Sequence, residues 1–207
     1  MTIIDMNRFH FNFMKIRYKK PEKGIALTVE LIPKSCQGHS LYHQWPSKWW
    51  DKLRKIVYSR ANFKCEVCGS GPKVECHEVW EFNIEKQTQK LVMLVCLCHD
   101  CHSAKHFGHA YMSGHSSQAI KHLCKVNSMS LSEVLDYIDD IYQNHKKYRG
   151  IKFKKKLDLS LLSDFMAKYC VKDKKVKRVK SLTTRKTKAK ARKIKRTIGN
   201  YKKGGKR

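Results

Sequence analysis

The sequence contains no apolar run long enough to cross a membrane. Its longest apolar stretch, residues 91–98, covers eight residues, whereas a helix that spans a bilayer needs about 20. The first 20 residues mix charged with apolar side chains, a composition that does not indicate a signal peptide. We therefore expect no membrane segment and a cytoplasmic location.

Acidic residues are also scarce. Only 17 Asp and Glu stand against 45 Lys and Arg among 207 residues, which gives a formal net charge of +28. A surface this positive attracts polyanions and repels other cationic surfaces. The partner that we expect from composition alone is nucleic acid.

The positive charge is concentrated near the carboxyl end. Residues 171–207 hold 18 Lys and Arg and a single acidic residue, Asp173. This tail shows no sustained apolar periodicity, so we expect it to be disordered in isolation and to bind DNA or RNA, although a solubilising or assembly tail would have the same composition. A second basic patch, with interleaved aromatic residues, begins at His145. Its candidate nucleic-acid contacts are Lys152, Lys154, Lys155 and Lys156.

Cysteine is present in an odd number, nine, which does not suit a scaffold of disulfides and favours a reducing compartment. Two Cys-x2-Cys pairs, Cys65/Cys68 and Cys98/Cys101, have the spacing of zinc ligands. They predict one structural Zn²⁺ held by four thiolates. We expect the cysteines outside this set to be small buried hydrophobes where they lack a partner at metal spacing; these are Cys36, Cys124 and Cys170.

Hydrophobic periodicity predicts a mixed α+β fold. Alternating apolar residues indicate a β-hairpin over 9–32, and strands over 73–82 and 91–97. Residues 47–64 fit an amphipathic helix, in which we expect Trp49 and Trp50 to pack in the core rather than to form a base-stacking platform. A helix is expected from near Asp100, another ends near Asn127, and residues 130–133 offer a capping box for the next.

Histidines flank the predicted zinc ligands. His77 and Glu78 lie in the middle of the first strand, and His102 and His106 are four residues apart on the following helix, so that they share one face. Side chains alternate along a strand, so only one of His77 and Glu78 should face the helix unless a bulge intervenes.

The order of these motifs resembles the HNH nucleases. A Cys-x2-Cys knuckle, a strand with a central His, a second strand, a second knuckle and a helical Cys-His-x3-His element follow one another as in the ββα-metal (His-Me finger) core. The string HEVWE and an upstream W-x2-LR helix are similar to those of small bacterial and phage HNH proteins. The resemblance covers roughly residues 25–165.

This resemblance implies an endonuclease that hydrolyses DNA phosphodiester bonds. His77 would be the general base, and His102 and His106 would hold a catalytic Mg²⁺ or another divalent cation. Lys105, beside them, would hold a phosphate. The four cysteines would keep both elements in register through structural Zn²⁺, and the expected setting is DNA in a bacterial or phage-infected cell.

Two positions depart from the family pattern. Met93 stands where HNH proteins usually have Asn, and Cys76 stands where a metal-ligating Asp or His often precedes the base. An alternative register makes His77 a metal ligand and Glu78 the base. A further alternative is a catalytically inactive, zinc-stabilised nucleic-acid-binding protein that kept the scaffold.

The predicted organisation has four parts: an N-terminal β segment and loop over 1–46, the HNH core over 47–126, packing helices over 127–170, and the basic tail over 171–207. The sequence leaves the oligomeric state open.

Overall fold

Residues 24–169 are the part of the chain that the computed structural model describes. The chain divides into two units, with the boundary between Ser163 and Asp164. None of the helices in the described range is both long and apolar enough to span a bilayer. The basic tail at 171–207 lies outside the described residues, so its disorder stays a prediction.

Helices and a small sheet make up the described range, which confirms the mixed α+β class. The helices are α1 (Leu41–Gln44), α2 (Ser47–Arg60), α3 (His99–Lys105), α4 (Phe107–Met112), α5 (Ser116–Asn127), α6 (Leu131–His145) and α7 (Ser163–Tyr169). The strands are β1 (Val74–Asn83), β2 (Thr88–Cys98) and β3 (Leu157–Asp158). Short 3-10 turns occur at Lys34–Cys36, Lys146–Tyr148 and Ser160–Leu162.

The sheet has the order β1-β2-β3, with β1 antiparallel and β3 parallel to β2. The two long strands match the predicted ones. Their register pairs His77 with Val95 and shifts after Val79, where Val92 is inserted in β2 between consecutive partners. Because this bulge lies in β2 and beyond Glu78, side chains alternate without interruption from His77 to Glu78, and the two point to opposite faces of the sheet.

Helices cover both faces of the sheet. On the face of His77, buried residues of α3, α5 and α6 form one apolar cluster with β2. The opposite face is covered by α2, whose buried residues Trp49, Leu53 and Val57 form the expected stripe. Only Trp49 of the tryptophan pair is in the core, since Trp50 is half-buried at the edge of the helix.

The segment before the first helix is extended but is not a strand. Residues 9–23 of the predicted hairpin lie outside the described residues, and residues 25–32 form no strand, so that half of the prediction is wrong. Leu27 and Val29 are buried in alternation, as in a strand. Their backbone N–H groups, however, donate to the side chains of Asn127 at 2.7 Å and Tyr137 at 2.9 Å. Side chains from α5 and α6 therefore take the place of a partner strand.

Helix α6 begins with the predicted capping box. The N–H of Glu133 donates to the Ser130 hydroxyl, and the Ser130 N–H donates to the Glu133 carboxylate at 2.7 Å. Only part of the predicted apolar stripe of this helix is buried. Val134 is buried, whereas Leu131 is 59% exposed. The helix packs on α5 along one side, so residues at the margin of the stripe face solvent.

Candidate metal centres

The four predicted zinc ligands come together. One sulfur each from Cys65, Cys68, Cys98 and Cys101 lies within 4.8 Å of the others, and the Sγ atoms of Cys68 and Cys98 are 3.6 Å apart. Cys65 and Cys101 are buried, and Cys68 is exposed. A closed set of four thiolates at this spacing fits a structural Zn²⁺, so this cluster could hold the ion that the spacing predicts.

Each Cys-x2-Cys pair is shaped by backbone hydrogen bonds. In the first, the N–H of Gly69 donates to the Cys65 carbonyl at 2.9 Å, and the N–H of Cys65 donates to the Ser70 carbonyl at 2.7 Å. Gly69 has φ +78, a left-handed conformation that glycine adopts without strain. In the second, the N–H of Cys101 points at Cys98 Sγ, 3.5 Å away. Such N–H groups stabilise the thiolate form of a ligand.

A buried ion pair fastens the first knuckle to the sheet. Arg60 Nη2, at the end of α2, lies 2.7 Å from Glu66 Oε2 and 3.0 Å from the Leu94 carbonyl. The same Glu66 oxygen accepts the Cys96 N–H at 2.8 Å, and the Glu66 N–H donates to the Cys96 carbonyl. Helix, knuckle and strand are thus held together by one carboxylate.

The electrostatics of the cysteine cluster favour a cation. A hydrogen bond from Cys101, together with nearby N–H groups, lowers the pKa of Cys65 to about 4. The same hydrogen bond, with burial and the charge of Cys65, raises the pKa of Cys101. Thiolates this close repel one another, and a divalent ion removes that repulsion. His122 Nε2 lies 3.1 Å from Cys101 Sγ, a contact that sequence reasoning missed.

Three histidines form a second cluster. His77 on β1, His102 on α3 and His106 each offer a ring nitrogen, and these atoms lie within 4.8 Å of one another. The ring centroids are 4.6 Å apart for His77 and His106 and 4.8 Å apart for His102 and His106. Helix α3 ends at Lys105, so His106 is its C-cap, but the two helical histidines still face the strand histidine.

A carboxylate orients His77. Glu30 Oε2 lies 2.7 Å from His77 Nε2, and Glu30 Oε1 accepts the Trp80 N–H at 3.1 Å. Burial acts to raise the pKa of Glu30, but the hydrogen bond and charge of His77 and the charge of Lys105 outweigh it and lower that pKa. With Nε2 donating to an ionised carboxylate, His77 presents an unprotonated Nδ1 to its other side.

The second nitrogen of His77 is available to a ligand. His77 is 1% exposed, and its Nδ1 is buried with no hydrogen-bond partner among the described residues. Buried polar atoms are nearly always satisfied. Burial lowers the pKa of His77, and it also lowers that of His106, to about 3, with help from the neighbouring rings. Neutral imidazoles with free lone pairs fit a metal ion.

His102 has a carboxylate partner as well. Glu75, two residues before His77 and on the same face of β1, contacts His102 Nδ1 and lies 3.0 Å from His99 Nδ1. Two of the three clustered histidines therefore bond a carboxylate through one ring nitrogen, which leaves the other nitrogen for a ligand. This arrangement fixes the tautomer and ring orientation of metal-ligating histidines.

Lys105 is not placed to hold a phosphate. It is 4% exposed, and its ammonium lies 3.0 Å from Thr28 Oγ1 and 3.8 Å from Glu30 Oε2. Burial lowers its pKa, opposed by Glu30. This geometry favours a buried charge that balances Glu30 over the contact with substrate that sequence reasoning predicted.

Glu78 lies on the opposite face of β1 from His77. Its carboxylate accepts the N–H groups of Leu41 at 3.0 Å and Tyr42 at 3.3 Å, at the start of α1. Burial raises its pKa to about 7, against the lowering effect of these hydrogen bonds. The side chain therefore anchors α1 to the sheet.

A cleft of about 660 Å³ joins the two sides of β1. His77, His102 and His106 line one side of it, and Glu78 and Trp50 line the other. Because β1 is the outer strand of the described sheet, residues from both of its faces can line one cleft. The histidine cluster is thus open to a ligand of the size that such clefts hold.

No family model, characterised protein or solved structure matches the chain significantly. The metal-binding interpretation therefore rests on the two clusters themselves.

The remaining predicted residues belong to neither cluster. Met93 is in β2 beside the bulge, opposite Val79, and packs on the apolar core. Cys76 is buried on the same face as Glu78. The predicted nucleic-acid contacts before β3 are all exposed: Lys152, Lys154, Lys155 and Lys156.

Sequence reasoning missed the two carboxylates that orient histidines. Glu75 could have been found, because residues two apart on a strand share a face and Glu75 precedes His77 by two. Glu30 gave a weaker signal, an acidic residue inside the apolar run at 25–32. No feature of the sequence indicates that residues 25–32 lie beside β1.

Proposed function

We propose that this protein is a metal-dependent endonuclease of the HNH type that hydrolyses phosphodiester bonds in DNA. The observation that carries the proposal is the buried Nδ1 of His77, which has no hydrogen-bond partner among residues 24–169 and belongs to a cluster of three histidines that lines a cleft. The net charge of +28 supports a polyanionic substrate. The succession of β1, β2 and α3, with histidines on the first and last, supports the resemblance to the ββα-metal core.

The geometry favours His77 as a third metal ligand over His77 as general base. The carboxylate on Nε2 leaves Nδ1 of His77 unprotonated for either role. A ring nitrogen of His77 lies within 4.8 Å of ring nitrogens of both His102 and His106, however, and at that spacing the three imidazoles could hold one ion. This agrees with the register in which His77 is a ligand. Three imidazole ligands suit Zn²⁺, Co²⁺ or Ni²⁺ better than Mg²⁺, which prefers oxygen.

A divalent ion held by His77, His102 and His106 would lower the pKa of water and offset charge on a phosphate. The protein's own part is to orient the ligands: Glu30 fixes the ring of His77, and Glu75 fixes that of His102. Glu78 would act as base only if it left the N–H groups of α1, so we assign it to positioning that helix.

A nicking assay on supercoiled plasmid tests the proposal. Wild type should nick DNA with a transition-metal ion, and both chelation and His106→Ala should abolish nicking while the cysteine-bound zinc remains. The matched control is His109→Ala, because His109 is exposed, lines the same cleft and is not in the cluster. Undiminished nicking by His106→Ala would contradict the assignment.

The second candidate is a zinc-stabilised nucleic-acid-binding protein without cleavage. Two observations favour it: Lys105 is buried, and Glu78 is engaged by α1, so neither is free for a substrate. Salt-sensitive DNA binding with no cleavage by any tested divalent ion would establish this candidate instead.

A further inference from the structure

We infer that the side of the cleft formed by α2 binds one unpaired nucleobase, so that the substrate is a single strand. The inference deepens the proposed function and rests on it for the position of the phosphate at the histidine cluster. The base would occupy the aromatic side of the cleft, across the edge of β1 from the three histidines.

Two helical faces form the walls of this cleft. Trp50, Arg54 and Tyr58 are spaced four residues apart, so they form one stripe along α2. His102 and His106 form the wall across the edge of β1. A nucleic-acid strand that follows the cleft would place a phosphate near the imidazoles and an adjacent base near the stripe on α2, which we call the aromatic wall.

The aromatic wall has the chemistry of a stacking site. Tyr42 is 66% exposed, and its ring stands edge-on to that of Trp50 at 6.3 Å and to that of His43 at 5.2 Å. The Arg54 guanidinium lies 6.0 Å from the Tyr58 ring. Exposed aromatic rings and a guanidinium plane are the groups on which unpaired bases stack, irrespective of their sequence.

The cleft also contains an unsatisfied amide. Gln89 is 2% exposed, its Oε1 has no hydrogen-bond partner within the described residues, and its Nε2 makes one long contact of 3.4 Å to the His39 carbonyl. A buried amide without its full set of partners is uncommon. Side-chain amides hydrogen-bond to base edges, so Gln89 gives the aromatic wall a polar partner for a base.

The shape of the site selects an unpaired base. A base inside a duplex is stacked on both faces and cannot enter a cleft that is walled by helices. The cleft volume of about 660 Å³ is in the range that holds a ligand of nucleoside size. The basic charge of the chain favours a nucleic acid over another aromatic ligand.

Fluorescence of 2-aminopurine tests the inference. The base analogue is placed in a phosphorothioate oligonucleotide that resists hydrolysis, either single-stranded or in a duplex, and is titrated with the full-length protein. Wild type should change the emission of the single strand and leave that of the duplex unchanged. Trp50→Ala and Tyr42→Ala should each weaken single-strand binding about tenfold and reduce the emission change, because one stacking contact is lost.

Tyr111→Ala is the matched control, because Tyr111 is 64% exposed but does not line the cleft. Trp50→Phe should restore most of the affinity. Tyr42→Ala keeps the test valid if Trp50→Ala does not fold. Binding and emission that are unchanged in both Tyr42→Ala and Trp50→Ala would overturn the inference, even if His106 proves essential for nicking. Stacking without nicking would support the base site and reject only the nuclease.

Discussion

Cys101 and His102 are consecutive residues of α3, yet their side chains enter different ligand clusters. Successive residues of a helix point about 100° apart, which is enough to direct one side chain to each side. An ion on the cysteines would therefore fix the helix that carries His102. The two candidate metal centres share one short structural element, and each depends on the position of that element.

Replacing a cysteine ligand should empty both clusters. Cys101→Ser removes one thiolate of four, and structural zinc contributes about 10–16 kcal/mol of apparent binding energy to small domains. This is comparable to the whole stability of a folded domain. We expect loss of helical circular dichroism and of all bound metal, measured by mass spectrometry of the eluted ions.

Cys124→Ser is the control for that experiment, because Cys124 lies outside the cluster and is only half-buried. It should keep its metal and its fold. A folded Cys101→Ser protein that retained zinc would contradict the four-cysteine site.

Removing the Glu30 charge should weaken metal binding at the histidines. Glu30→Gln takes away the carboxylate that orients His77, and loss of such a partner typically lowers metal affinity by about 10- to 100-fold. Competition with a chelator of known affinity for Zn²⁺ or Co²⁺ measures the effect. An unchanged metal affinity would show that Glu30 does not support metal binding at the histidines.

The same substitution should also destabilise the fold, because Lys105 is a buried charge 3.8 Å from Glu30. Breaking a buried ion pair costs roughly 3–5 kcal/mol. The double variant Glu30→Gln, Lys105→Met should recover much of that stability without recovering metal affinity. Recovery of both would show that Glu30 acts on stability alone.

The carboxylate of Glu66 should be important for stability rather than for chemistry. Glu66→Ala removes the partner of Arg60 and the acceptor of the Cys96 N–H, so the free energy of unfolding should fall by roughly 3–5 kcal/mol. Denaturant titration at saturating zinc measures it. Glu81→Ala, at an exposed position of β1, should change stability by less than about 0.5 kcal/mol. If Glu66→Ala and Glu81→Ala changed the free energy of unfolding equally, the Glu66 contacts would not contribute to stability.

Deleting residues 171–207 should reduce the salt dependence of DNA binding. The segment holds 18 of the 45 Lys and Arg, and each phosphate contact contributes about 0.9 to the slope of log affinity against log salt. The histidine cluster should keep its metal. A neutral tail of equal length separates the effect of charge from that of length, and an unchanged slope on deletion would exclude the tail from DNA binding.

Local patterns predicted α2, α3, α5 and α6, the two long strands and both clusters, but not the short helices α1 and α4. Cys-x2-Cys spacing, His-x3-His spacing and the capping box at Ser130 each fix a geometry within a few residues, which sequence alone determines. The opposite directions of His77 and Glu78 also follow from alternation along one strand.

Long-range contacts could not be predicted in the same way. Glu30 and His77 are 47 residues apart in the chain, and residues 25–32 bond to α5 and α6 side chains where the pattern indicated a strand partner. The burial of Lys105 could not be predicted for the same reason, because its partners Thr28 and Glu30 belong to that distant segment. Hydrophobic periodicity predicts which residues face the core, but not which distant segment of the chain they contact.

The free edge of β1 has a further consequence for the protein in solution. Within the described sheet β1 has a neighbour on one side only, and open strand edges pair readily with other chains. Glu30 Oε1 accepts the N–H of Trp80 on that edge. The carboxylate thus occupies a place where a strand from another molecule would dock, so its loss exposes a template for self-association.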